Sequence, residues 1–148
     1  MKKGMLILAT FILVATSCKN GNDVTPTTTA TDVKSNLVSG SWTISSFRQK
    51  NEDKTSAFSG VTFVFNSDGT VNATKSGTIT TGTWSSAAAQ PSYYGAPPSA
   101  ATFSLNMNGS SSFAKLNKSW DVNTATTSND IKLDNKERLE DEHLEFVK

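Results

Sequence analysis

The sequence predicts an all-β domain of eight short antiparallel strands in up-and-down order, entered through a short helical turn. Three observations carry this reading. From residue 41 onward, apolar and polar residues alternate with a period of two, the mark of half-buried strands. β-Branched and aromatic residues dominate these runs, and Gly, Asn, Asp and Ser separate them at short intervals. Two tryptophans follow a turn glycine, in Gly40-Ser41-Trp42-Thr43-Ile44 and Gly82-Thr83-Trp84, and the remaining apolar runs can close around them. Closure into a barrel disposes of every sheet edge, and the short connections favour it. A two-sheet β-sandwich is the alternative. The chain has 148 residues, which suits one domain.

The first residues read differently. Met1-Lys2-Lys3 is basic, and Met5 to Ala15 is apolar except for Thr10. That run is shorter than the roughly 20 residues of a membrane-spanning helix and has the proportions of a signal-peptide core. Ala15-Thr16-Ser17-Cys18 resembles a bacterial lipobox, with alanine where leucine is commonest, and Cys18 is the only cysteine in the chain. The resemblance implies lipidation of the Cys18 thiol, cleavage before it, and acylation of the new amino terminus. A plain signal peptide with an incidental cysteine, or a signal anchor, is the alternative. Residues 1–17 are therefore expected to be a lipoprotein signal peptide, 18–35 a disordered Thr-rich tether, and 36–148 the barrel. Several acyl chains make such an anchor effectively permanent. With Cys18 consumed no disulfide is possible, so packing must supply the stability.

The elements follow in order. Val33 to Val38 suits a helical turn with Asp32 as its N-cap. The first strand is Ser41 to Gln49, with Trp42, Ile44 and Ser46 on one face and Thr43, Ser45 and Phe47 on the other. Val61, Phe63 and Phe65 mark the second, and Asn66-Ser67-Asp68-Gly69 is a tight turn in which glycine accepts positive φ. Val71 and Ala73 mark the third, which turns near Ser76-Gly77. Thr78 to Ser85, Ala101 to Met107, Lys118 to Asn123 and Asn129 to Leu133 supply four more. Leu144 and Phe146 place the last strand at Glu142 to Lys148, although Leu139, His143 and Val147 also share a helical spacing.

In this order the residues Gly40-x-Trp42, Phe63-x-Phe65, Asp68-Gly69-Thr70, Gly82-Thr83-Trp84, Trp120-x-Val122, Ile131-x-Leu133 and Leu144-x-Phe146 look like the lipocalin-like domain of small bacterial lipoproteins. The likeness spans essentially everything after the tether. It implies an eight-stranded barrel with one closed and one open end. Fold alone does not assign a function. In lipocalins an arginine near the last strand stacks on the motif tryptophan; the matching region here offers Lys148, and Trp42, Trp84 and Lys148 are the expected closure residues. Loop order then places Gln49–Ser59, Lys75–Gly77, Asn108–Asn117 and Asp134–Asp141 around the open mouth. Asn66–Gly69, Ser86–Ser99 and Thr124–Ser128 fall on the closed rim.

Candidate chemistry is sparse. His143 is the single histidine and no nucleophile elbow is present, so no catalytic residue, enzyme activity or cofactor is implied. Glu140, Asp141, Glu142 and His143 read as a solvated charged edge and not as a metal site, because alternate strand residues point to opposite sides. Removing Lys2 and Lys3 from the 14 Lys and Arg leaves 12 against 13 Asp and Glu. This near-neutral balance gives no footprint for nucleic acid. A ligand pocket, if the barrel is hollow, would be lined by Phe63, Phe65, Ala73, Phe103, Leu105 and Trp120. Tyr93 and Tyr94, among Pro91, Pro97 and Pro98, either pack on the barrel base or stand out as a partner contact.

The expectation is a monomeric, non-catalytic protein anchored by its acyl chains to the outer membrane of a Gram-negative bacterium, on its periplasmic face or at the cell surface. It would bind a small apolar or amphiphilic ligand in its interior. The alternative is an envelope interaction, accessory or inhibitor-like module with a filled core, acting through its loops.

Overall fold

Alternation from Ser41 onward becomes one antiparallel sheet. The computed structural model describes residues 30–92, 94–135 and 141–148. Its elements are α1 (Ala30–Leu37), β1 (Ser41–Gln49), β2 (Glu52–Asp53), a 3₁₀ turn (Thr55–Phe58), β3 (Val61–Phe65), β4 (Thr70–Lys75), β5 (Thr78–Ala87), β6 (Thr102–Met107), α2 (Ser111–Ala114), β7 (Lys118–Val122), β8 (Asp130–Asn135) and β9 (Glu142–Val147). Sequential strands pair from β3 through β9, β1 pairs with β3, and a β1–β9 ladder closes the sheet. The two-residue β2 only extends the end of β1, through Arg48 opposite Asp53. The other eight strands form a closed up-and-down barrel, which excludes the sandwich.

Two features differ from expectation, the start of α1 and the facing within β1, while the last strand forms where the alternation placed it. α1 begins at Ala30, so it takes up residues 30–35 of the expected tether, and Asp32 lies inside the helix and not at its cap. Glu142–Val147 forms a strand bonded to both β1 and β8, so the helical spacing through His143 and Val147 does not prevail there. The ladder satisfies backbone groups on both sides, which an isolated helical turn could not. In β1 the register to β9 shifts between Ile44 and Ser46. This bulge inserts one residue and reverses the facing of the residues beyond it. Phe47 therefore joins Trp42 and Ile44 in the core, and Ser46 turns outward, the reverse of the simple alternation.

The interior is aromatic. Trp42, Phe47, Phe63, Phe65, Phe103, Trp120 and Phe146 are essentially withdrawn from solvent. Gly82 makes room for the close approach of Asn106 and Met107 where β5 meets β6. A Cβ there would stand 2.5 Å from the Asn106 carbonyl oxygen and 2.7 Å from Met107 Sδ.

Both ends are stoppered. α1 lies across the closed end with Val33 and Leu37 buried. At the other end, Phe58 of the 3₁₀ turn lies edge-on to Phe47, with centroids 5.6 Å apart, and to Phe113 of α2 at 5.9 Å. Phe113 in turn meets Phe63 at 6.2 Å, and Leu116 is fully buried. Asn117 fastens this cap to β6: its Nδ2 donates to the Met107 carbonyl at 2.9 Å, and its Oδ1 accepts from the Met107 amide at 2.6 Å. The open mouth implied by the family resemblance is therefore filled by two short turns whose apolar side chains fold inward.

Candidate functional site

The six residues proposed to line a pocket do come together, but as packing partners. Phe63, Phe65, Ala73, Phe103, Leu105 and Trp120 are all buried. Phe63 stacks on Phe65 at 6.4 Å, Phe65 meets Phe103 edge-on at 5.9 Å, and Phe146 touches both Phe63 at 5.3 Å and Phe65 at 5.6 Å. Ala73 lies opposite Phe63 across the β3–β4 ladder, and Trp120 opposite Phe103 across β6–β7. Eight strands enclose a space that side chains of this size can fill, and edge-to-face rings at these separations are in favourable contact. Clefts of about 210 to 490 Å³ open on the outer faces and rims. Of the six residues only Leu105 borders one of them. The residues read as a pocket are the core.

The closure residues gather at the α1 end. Trp42 is fully buried, and its Nε1 donates to the Leu37 carbonyl at 2.9 Å. Lys148 Nζ sits 4.9 Å from the Trp42 ring centroid and donates to Ser39 Oγ at 2.9 Å. Trp84 Nε1 donates to the Asn66 carbonyl at 3.0 Å, which ties β5 to the turn between β3 and β4. Cys18 lies outside the described residues.

The acidic segment is not uniformly solvated. Glu142 is fully buried because it shares the inward face of β9 with Leu144 and Phe146. Its carboxylate pairs with Lys118 Nζ and accepts from Gln49 Nε2 and, at 3.1 Å, from Asn135 Nδ2. Lys118 also lies over the Trp120 ring at 5.3 Å. The spacing to Leu144 and Phe146 was the sequence signal for this inward carboxylate; its partners come from three other strands and carried none. His143 faces outward, with Nδ1 2.6 Å from Asp134 Oδ1 and Nε2 3.2 Å from Asp141 Oδ1. Among the described residues no group of three or more His, Cys, Asp or Glu side chains is placed to hold a metal.

The β5–β6 connection is the most conspicuous surface feature. Gln90 and Ser99 exchange backbone hydrogen bonds of 3.1 and 3.0 Å, so the hairpin continues past the ends of its strands. At its tip Ser92 Oγ donates to the Ala96 carbonyl at 2.6 Å, and Tyr94 and Gly95 take positive φ of 48° and 84°. Tyr94 is fully exposed, which removes the reading in which it packs on the barrel base. Tyr93 lies outside the described residues. Beneath the hairpin a cleft of about 490 Å³ is lined by Ala89, Pro91, Pro98, Ala101, Val122 and Thr124 among others. No charged residue occurs from Ser76 to Ala114.

No family model matches this chain, and no curated protein matches it. Among solved structures, a DUF4847 family protein from Bacteroides vulgatus is similar, with a TM-score of 0.51 and 18% sequence identity. The match covers 78% of this chain and 96% of that one. At this identity the likeness shows a shared fold, that of a closed antiparallel barrel.

Proposed function

We propose that this protein is a lipid-anchored, non-catalytic module of the bacterial envelope that acts through its rim loops and not through an interior pocket. The observation that carries the reading is the solid interior. The rings of Phe63, Phe65, Phe103 and Phe146 fill the middle of the barrel. α1 covers one end, and Phe58, Phe113 and Leu116 cover the other. A small apolar ligand would have to displace those rings and forfeit their contacts, which makes an interior site costly. The exposed Tyr94 hairpin offers a surface for contacts instead. The anchor rests on Cys18 within Ala15-Thr16-Ser17-Cys18, after a basic start and a short apolar run. Kinship with lipocalins rests on Gly40-x-Trp42 and the cation stacked on Trp42.

Native mass spectrometry of the protein purified from its host envelope tests both halves. The expected mass is that of residues 18–148 plus acyl groups, with no retained small molecule. A stoichiometric apolar ligand surviving in the gas phase would overturn the solid-core reading, and an unmodified Cys18 would overturn the anchor.

A further inference from the structure

We infer that the β5–β6 hairpin, residues 88–101, docks into the headgroup region of the phospholipid bilayer that holds the acyl anchor. The inference rests on the lipid-anchor reading and names the surface its rim would contact.

Three observations converge. The first is position. β1 starts at the α1 end, and because β1–β3, β3–β4 and β4–β5 each pair antiparallel, β5 finishes there too. The hairpin and the entry of the chain therefore share one end of the barrel, and α1 packs against β5. Only residues 19–29 separate Cys18 from Ala30. That stretch spans at most about 40 Å even fully extended, so an anchored protein keeps this end near the membrane at high effective concentration.

The second is the distribution of charge. The hairpin carries none, and neither does the neighbouring connection, residues 123–129. The opposite rim holds Lys50, Glu52, Asp53, Lys54, Lys75 and Lys115. Moving charged side chains out of water is expensive, so the two uncharged connections can approach a bilayer without that cost, while the exposed Lys34, Asp68 and Lys148 at the same end stay in water. An uncharged hairpin also needs no anionic lipid to attract it.

The third is chemistry at the tip. Tyr94 has an apolar ring and a polar hydroxyl, the combination that favours membrane–water interfaces. Pro91, Pro97 and Pro98 lack the backbone N–H that would otherwise have to be desolvated. Every described residue from Pro91 to Ala100 is exposed, so docking requires no unfolding.

The test uses the full acylated protein, floated on phosphatidylcholine vesicles. Acylation leaves no free thiol, so Ala96→Cys at the hairpin tip and Lys115→Cys on the opposite rim can each take one environment-sensitive nitrobenzoxadiazole label. A shift of the residue-96 label to shorter wavelength, with quenching by nitroxide lipids, is expected, together with a water-like signal at residue 115. Tyr94→Ser should weaken the quenching at residue 96. Vesicle-bound protein with both labels water-like, or with both shifted alike, overturns docking and leaves the anchor standing. Protein that fails to float with the vesicles overturns the anchor and the docking with it.

Discussion

Lys148 Nζ lies 4.9 Å from the centroid of the Trp42 ring and is held there by a 2.9 Å hydrogen bond to Ser39 Oγ. Lys148, immediately after β9, thus covers the first tryptophan of the barrel. Gly40 shapes the entry to this strand through its φ of 143°, a conformation that L residues rarely adopt; space is not the constraint, since a Cβ would make only an ordinary 3.7 Å contact with Lys148 Cε. The indole is fixed from its other side by Leu37. Lys148→Met should cost about 0.5–1 kcal/mol, the range of an exposed cation–π contact, whereas Trp42→Ala should cost about 3–5 kcal/mol. Urea unfolding of the two variants checks the ratio; equal losses would mean that the ammonium, and not the ring, holds this end.

Gly82 should be the least replaceable glycine in the barrel. Its backbone is not in the left-handed region, so the constraint is space. Alanine would meet the Asn106 carbonyl at 2.5 Å and the Met107 backbone at 2.9 Å. Gly82→Ala is expected to destabilise by about 1–3 kcal/mol or more, as overpacking does. Thr83→Ala, on the exposed side of the same strand, should change stability by about 0.5 kcal/mol or less. Thermal denaturation of the pair separates steric cost from strand propensity.

The buried Glu142 should behave as a paired charge. Lys118→Met leaves its carboxylate without its cation, which typically costs about 3–5 kcal/mol. The double variant Lys118→Met, Glu142→Leu should recover most of that loss, since no charge is then stranded. A double-mutant cycle by chemical denaturation reads the coupling directly. Additive losses would show that the two side chains do not depend on each other.

Acid sensitivity should trace to tight turns. Side-chain and then backbone hydrogen bonds from Thr70 hold the Asp68 carboxyl below its ordinary value of 3.8, through contacts of 2.7 and 2.8 Å. Thr55 does the same for Asp53. A depressed folded-state value means that the stabilisation is complete above about pH 4 and is lost as pH falls through the folded value. Thr70→Val removes the hydroxyl donor, so NMR titration should find the Asp68 carboxyl moved up towards 3.8, with Asp53 unchanged.

Much of the barrel was legible because its strands are half-buried and antiparallel. Alternation located Val61–Phe65, Thr70–Lys75 and Glu142–Val147, and Asn66-Ser67-Asp68-Gly69 marked a turn that forms with Gly69 at φ 86°. Phe47 escaped that logic, because a bulge is a property of two paired strands and one strand's alternation does not report it. Phe58, Phe113 and Leu116 were visible as apolar residues in loops. Their destination depends on where the two turns fold relative to a rim that only closure creates.

By itself, then, the sequence determined the strand periods, the turn chemistry and the barrel order, all of which depend on residues near one another in the chain. Only the tertiary structure decided that the interior is full and both ends are stoppered. The same holds for the buried Glu142 and its partners from β1, β7 and β8, and for the exposed Tyr94. These are questions of volume and of contact between distant segments, and a linear pattern of apolar residues states neither.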